Sequence, residues 1–397
     1  MASRRLDGYA DCIVKAVHMH PVWTRRGFVS AGMAAALTAA APAQPAFAYV
    51  GCYTTAKRYA RGDGIHVFRV DPLTGTWSHI QRVDSLVNPS LLVLSRDRKF
   101  LYSAHGDEGY ASAFAVDRET GRLTLLNQAE TGGMNGVHLA LDKSGRFLVV
   151  ANYSSGGVSV LAVNADGRLG ETVQVLPLPG TPGPHRVEQT NAHPHQILFD
   201  PAGRFVVVPD KGLDRIFVFG FDAKTGKLTP TAQGSGVART LSGPRHAAFH
   251  PRLPVLWVLN EINNTVAVWM WEAERGHMKA AQILTTLPAD YTGENTTSEI
   301  DVGGSGRFVY CSNRGHDSVA IFAADPATGL LTPLGWEPSR GRIPRFICVE
   351  PTGRFLYAAN EQSDNIVSWR IDGTTGRLTA TAEVIQTPSP VSIVLSS

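Results

Sequence analysis

A short phrase recurs along this chain about every fifty residues: a Gly-Arg-Phe turn, an apolar run, then a polar loop that usually opens on Asn or Asp. It reads GRFLVVANYSSGG at Gly145–Gly157, GRFVVVPDKGLDR at Gly203–Arg215, GRFVYCSNRGHDS at Gly306–Ser318 and GRFLYAANEQSDN at Gly353–Asn365. Weaker copies begin at Lys99 and Leu253, and a truncated one at Tyr49, which makes seven. One such unit of strand-like runs and turn residues cannot bury its own apolar face. A fixed period of this kind therefore constrains the chain to an array of small sheets stacked on one another.

Within one unit, Gly353-Arg354 makes a tight turn and Phe355–Ala359 has the composition of a half-buried strand. Beyond the loop Asn360–Asn365, Ile366–Ile371 alternates as a second strand, and Gly373–Gly376 turns into a third at Arg377–Thr379. Arg345–Glu350, ahead of the Gly-Arg turn, supplies a fourth. The ends of the chain complement each other. The first copy starts at its second strand, Tyr49–Tyr53, whereas Pro390–Leu395 reads as a first strand without partners. The expected fold is all-β: a seven-bladed β-propeller with four antiparallel strands per blade, its ring closed by the C-terminal strand joining the N-terminal blade. Tandem sandwiches and a β-solenoid are the competing arrangements, and the explicit repeat favours the propeller.

The N-terminus carries Thr24-Arg25-Arg26-Gly27-Phe28-Val29, then an Ala-rich apolar stretch to Ala41, then the small-x-small group Ala46-Phe47-Ala48. That is the pattern of a twin-arginine export signal, so residues 1–48 are expected to be a cleaved signal peptide and 49–397 the propeller domain, delivered to the periplasm. Met19 is an alternative initiator. The apolar stretch is too short to span a bilayer, so no membrane span is expected in the mature chain. The formal charge of +3 belongs to this segment: residues 1–48 hold five basic and two acidic side chains, leaving 32 of each beyond them. Nothing in the charge balance points to nucleic acid as a partner. Cys52, Cys311 and Cys348 sit in apolar strands at wide spacing, which gives neither a disulfide framework nor a metal site. No cofactor or metal is expected, and the chain is expected to be a monomer.

In a four-stranded meander, the approach to the first strand and the loop after the second lie on one rim of the ring. The approaches are Asn88-Pro89-Ser90, Asn135–His138, His193-Pro194-His195, Gly243–His246, Thr296–Glu299 and Ile343-Pro344-Arg345. The matching loops carry His105, Asn152-Tyr153, Asp210-Lys211, Asn260-Glu261, Asn313-Arg314 and Asn360-Glu361. The opposite face holds only hairpin turns of the Pro-x-Gly-Arg and Asp-x-x-Thr-Gly kind. The repeated arginines lie on that face and need only cover the sheet and pair with a nearby Asp. The four loop asparagines serve as caps of their own loops. The residues that break the repeat are the candidates: His193, His195, Arg245, His246, Glu261, Glu299, Arg314 and Arg345. Pro177–Gln189 and Leu287–Thr297 are longer insertions, expected as loops over the site.

At these residues the chain resembles the lactonase family of seven-bladed propellers, which includes bacterial propeller-type 6-phosphogluconolactonase and the fungal carboxymuconate lactonizing enzyme. The matching stretches are NPSLL (Asn88–Leu92), NAHPHQ (Asn191–Gln196), VPDKGLDR (Val208–Arg215), GPRHAAFHP (Gly243–Pro251), LNE (Leu259–Glu261), SNRGHDS (Ser312–Ser318) and PRF (Pro344–Phe346). The resemblance implies a His, Arg and Glu at work on this rim, which fall here on His195 (or His193), Arg245 and Glu261. It implies hydrolysis of a sugar lactone, and the chemistry of the three side chains suits this: His195 or Glu261 would activate water and Arg245 hold the oxyanion. His193, His246, Glu299, Arg314 and Arg345 would then contact the small-molecule substrate. A carboxymuconate-type cycloisomerase and a non-catalytic binding propeller are the alternatives. No G-x-S-x-G elbow is present, against an acyl-enzyme serine hydrolase.

Overall fold

The computed structural model describes residues 46–232 and 234–396. The twin-arginine segment and both initiators lie outside them. Seven antiparallel sheets follow one another around a central channel, each laid out from axis to rim. Blade 1 is Pro390–Leu395, Ala46–Cys52, Ile65–Val70 and Trp77–Val83. Blade 2 is Pro89–Leu94, Phe100–His105, Tyr110–Val116 and Leu123–Glu130. Blade 3 is Gly136–Leu141, Phe147–Asn152, Gly157–Val163 and Leu169–Pro177. Blade 4 is Leu198–Phe199, Phe205–Asp210, Arg215–Phe221 and Leu228–Pro230, with Gly236–Val237 also on its third strand.

Blade 5 is Pro244–Phe249, Val255–Asn260, Thr265–Glu272 and His277–Thr285. Blade 6 is Thr296–Val302, Phe308–Arg314, Ser318–Ala324 and Leu331–Pro338. Blade 7 is Pro344–Val349, Phe355–Asn360, Asn365–Ile371 and Leu378–Gln386. The seam closes as expected from the two chain ends: Val50 pairs with Ile393 and Tyr49 with Val394. The N-terminal strand starts at Ala46, three residues ahead of the expected domain boundary, and Ala46–Ala48 pair with Phe68–Val70. Phe47 and Ser396 add two hydrogen bonds of 2.9 Å across the seam, Phe47 N–H to Ser396 Oγ and Ser396 N–H to Phe47 O. No helix among the described residues is long and apolar enough to cross a membrane.

The repeat phrase works between blades. The ring of Phe47, Phe100, Phe147, Phe205, Phe308 or Phe355 lies on a turn glycine of the next blade, respectively Gly121, Gly167, Gly226, Gly276, Gly376 and Gly75. A Cβ on any of these glycines would sit 2.2–2.9 Å from a ring carbon, and φ at each is positive, so no other residue fits the position. In blade 5, Val255 takes the place of the Phe, against Gly329. The neighbouring arginines donate to backbone carbonyls of the same turn: Arg146 to Ala223 (2.5 Å), Arg204 to Ala273 (2.6 Å), Arg307 to Gly373 (2.9 Å) and Arg354 to Pro72 (2.7 Å). The partners they share are thus carbonyls across the blade interface rather than the aspartates expected from sequence, and Arg204 also pairs with a carboxylate of that turn, Glu274, at 3.2 Å. An Asp in each Asp-x-x-Thr-Gly turn is already engaged by its own loop, as Asp372 is by the Thr374 and Thr375 N–H groups. The loop asparagines do tie down their own hairpins: Asn360 Nδ2 donates to Asn365 Oδ1, and Asn152 Nδ2 to Ser159 Oγ.

Phe147 is buried in this interface whereas the Arg146 side chain is exposed. Phe147→Ala is expected to cost about 3 kcal/mol and Arg146→Ala about 1 kcal/mol or less, read from urea unfolding of the two variants. Equal losses would refute the assignment of the seam to the aromatic contact.

Candidate active site

Each inner strand begins with a local irregularity in its ladder. The pairs Cys52–Pro390, Pro89–His105, Gly136–Asn152, Pro244–Asn260 and Pro344–Asn360 are each followed by one skipped residue on the inner strand. The skipped residues are Val391, Ser90, Val137, Arg245 and Arg345. In blade 6 two are skipped, Ser298 and Glu299. In blade 4 the bridge Pro194–Asp210 holds the same place and His195 follows it. A bulge releases a side chain from the alternation of the strand and re-aims it. Here all the released residues except Ser298 line one narrow chamber at the channel mouth, together with Tyr53, Leu91, His246 and Phe346.

The residue that follows each second-strand partner forms a second tier: Tyr53, Gly106, Tyr153, Lys211, Glu261, Arg314 and Glu361 hold equivalent positions around the ring. This tier meets the first in a buried ionic cluster. Glu261 Oε1 lies 3.2 Å from Lys211 Nζ, and Oε2 lies 2.9 Å from Arg245 Nε and 3.3 Å from Arg314 Nη2. Arg245 Nε is close enough to pair by charge, although its N–H is not aligned for a hydrogen bond. Burial alone would raise the Glu261 carboxyl, but Lys211, Arg314 and Arg245 outweigh it and hold the group well below the usual carboxylate range. Lys211 is also 2.5 Å from Glu188, on the long loop before blade 4, and 5.2 Å from the centre of the Tyr153 ring.

Burial and the neighbouring Arg314 weaken the Arg245 cation, yet a guanidinium stays protonated in such surroundings. Its Nη1 donates to the Ser298 carbonyl. Arg345 packs on Tyr53, 5.0 Å from the ring centre, and its nearest carboxylate, Glu361, is 3.7 Å away. Arg58 covers the Tyr53 ring at 4.5 Å and is paired with Asp107 at 2.8 Å. His195 is buried, and burial, Arg245 and His246 push it well below the ordinary histidine value, so the ring is neutral near pH 7. His246 lies between His195 and Glu299, with contacts of 3.2 Å and 2.7 Å.

The structure therefore brings His195, Arg245, His246, Glu299 and Arg345 to the chamber wall, with Glu261 and Arg314 directly behind them. His193 is not part of that wall. Its ring stacks on Tyr153 (4.3 Å between centres, 10° between planes) and its Nδ1 meets the Tyr153 carbonyl at 3.0 Å. Of the two alternating histidines, His195 is the one in reach. Lys211 and Tyr153 stand on the rim loops named from sequence but not among its candidates, Tyr53 only as the end of a strand, and their shared position after the second strand is the signal that marks them. The Pro177–Gln189 loop reaches the site through Glu188, while Asn295 of the second insertion bonds Asn264 on the rim. Among the described residues no group of three or more His, Cys, Asp or Glu is placed to hold a metal ion. A cleft of about 300 Å³ on the opposite face, between Gly303, Phe308 and Gly353, has no acid or base free to act: its one ionisable side chain, Tyr310, is bonded to the Gly376 carbonyl.

Residues 47–395 match the family described as lactonase, 7-bladed beta-propeller. The chain is 34% identical over 307 residues to the 6-phosphogluconolactonase of Bacillus subtilis strain 168, covering 77% of this chain and 85% of that relative. It is 33% identical over 318 residues to a 6-phosphogluconolactonase of Formosa agariphila, covering 77% and 86%. Among solved structures, a periplasmic gluconolactonase of Pseudomonas aeruginosa is similar with a TM-score of 0.82 at 28% identity, covering 89% of this chain and 99% of that one. By fold, site and sequence, this chain belongs to the lactonase family of seven-bladed β-propellers.

Proposed function

We propose that this protein hydrolyses a sugar lactone of the 6-phosphogluconolactone type. One observation carries the division of labour. Glu261 is ionised and engaged by three cations, which makes it a poor base, whereas His195 is neutral and its Nε2 has no partner among the described residues. His195 Nε2 takes a proton as a water O–H bond breaks, and the water oxygen bonds to the ester carbonyl carbon. The carbonyl electron pair moves onto oxygen, where the Arg245 guanidinium stabilises it. Collapse breaks the bond to the ring oxygen, which takes the proton back from His195, and the open hydroxy acid leaves. Glu261 keeps Arg245 in place. Purified protein is expected to release acid from 6-phosphogluconolactone in a pH-stat, and Arg245→Ala to lose turnover by about 10²-fold or more while staying folded. Ordinary turnover in that variant would sink the assignment.

Arg345 supports recognition of an anionic group on the substrate. It is a wall residue with its nearest carboxylate as far as 3.7 Å, so its donors are less committed than those of Arg245 or Arg58. Arg345→Gln should raise KM for the phosphorylated lactone about tenfold and leave plain gluconolactone nearly unchanged. Equal effects on both substrates would remove the phosphate from this position.

We also propose export by the twin-arginine route, supported by Thr24–Val29 and by the likeness to a gluconolactonase described as periplasmic. Cell fractionation should find the mature chain in the periplasm, and the double variant Arg25→Lys, Arg26→Lys retained in the cytoplasm. Periplasmic delivery of that variant would overturn the route.

A further inference from the structure

Three side chains stand in file beside the chamber. Glu299 Oε1 is 2.7 Å from His246 Nδ1, and His246 Nε2 is 3.2 Å from His195 Nδ1. A fourth group sets the direction of the file. The Ile300 N–H donates to Glu299 Oε1 at 3.1 Å, which places that oxygen as an acceptor. His246 then carries its proton on Nδ1 and donates it to Glu299. Its bare Nε2 accepts from His195 Nδ1–H, and His195 is left with a lone pair on Nε2, the nitrogen without a partner among the described residues. His138 does not compete for His246: its Nδ1 accepts the Ile197 N–H, and its ring meets His246 edge-on at 5.5 Å.

We infer that Glu299 and His246 are positioning residues, forming a carboxyl–imidazole–imidazole file that holds His195 in the tautomer with a bare Nε2. The inference rests on the hydrolytic reading above for what that lone pair does, and on the geometry alone for the tautomer. When Nε2 takes a proton from water, His195 becomes an imidazolium whose Nδ1–H still points along the file. The positive charge is then shared toward the carboxyl at its far end. This offsets a real handicap, because burial and Arg245 both disfavour a charged His195.

The groups facing Glu299 are His246 and Arg245 from blade 5, Arg345 from blade 7, Asp301 on its own strand, the buried thiol of Cys311 and the half-buried thiol of Cys348. Burial lifts Glu299 to about 8, against the pull of Arg245 and Arg345. The file keeps this direction with Glu299 as the anion, and with the neutral acid when its proton sits on Oε2, an oxygen without a partner among the described residues; a proton on Oε1 would instead donate to His246 Nδ1 and reverse it. His246 and Glu299 were expected from sequence to contact substrate. As positioning residues they act on kcat rather than on KM.

Nitrogen-15 NMR of histidine-labelled wild-type protein near pH 7 reads the tautomers directly. His195 should be protonated on Nδ1 and bare on Nε2, and His246 protonated on Nδ1; a protonated Nε2 on neutral His195 overturns the inference. In steady-state kinetics, Glu299→Leu and His246→Phe should each lower kcat about 10²-fold or more with KM within about threefold. Wild-type kcat in both variants would overturn it as well. If instead the wild-type protein opens no lactone, the functional reading fails, and the NMR result still decides the file on its own.

Discussion

The site depends on a bulge repeated around the ring. A regular inner strand would send alternate side chains into the blade interfaces and the channel, and no ring of polar groups could gather at the mouth. Skipping one residue just after Pro89, Gly136, Pro244 and Pro344 frees the next side chain from the ladder and turns it to the axis. The same step in successive blades yields Ser90, Val137, His195, Arg245 and Arg345, so chemistry is set by which side chain each blade places at one geometric position. Blade 6 departs from the rule by skipping two residues, and this brings the carboxyl of Glu299 level with His246 of the blade before it.

Such convergence puts several cations where water is scarce. Lys211, Arg245 and Arg314 surround one carboxylate, Glu261, and Glu188 reaches Lys211 from the loop above. Buried charges cost desolvation energy that pairing only partly offsets, so the cluster is a specificity device more than a source of stability. Its excess of positive charge is suited to an anionic ligand or to charge that develops during reaction. Glu261, in this arrangement, is the fixed counter-charge that lets two arginines and a lysine be held close together in the first place.

Much of this was legible in the sequence, for a physical reason. A period marked by Gly-Arg-Phe records a contact that every blade makes with the next, and a mismatch between the two chain ends records how the ring closes. Phe147 on Gly226 and Phe308 on Gly376 are the same interaction, so the same residues recur. The rim was legible because its residues interrupt that recurrence. What lay beyond reach was register. A one-residue bulge has no signature in composition, and it decides that His195 faces the chamber while His193 stacks on Tyr153. The common partners of the repeated arginines were hidden for a related reason: they are backbone carbonyls of another blade, which no side-chain pattern announces.

Glu299 joins the two halves of the channel. It lines the chamber above and also a wider cavity of about 890 Å³ below, walled by Val93, Leu141, Phe199, Phe249 and Ile300. That lower wall is mostly apolar, and Asp301, two residues on, has both oxygens engaged by the Val302 and Val349 N–H groups. A carboxyl placed between an apolar cavity and a cationic chamber is pulled in opposite directions: burial favours its neutral form, Arg245 and Arg345 its anion. Its hydrogen bonds tie that balance to the histidine file. As the anion, Glu299 accepts on Oε1 from both Ile300 and His246, so the charge of this group helps to set the orientation of the two histidines.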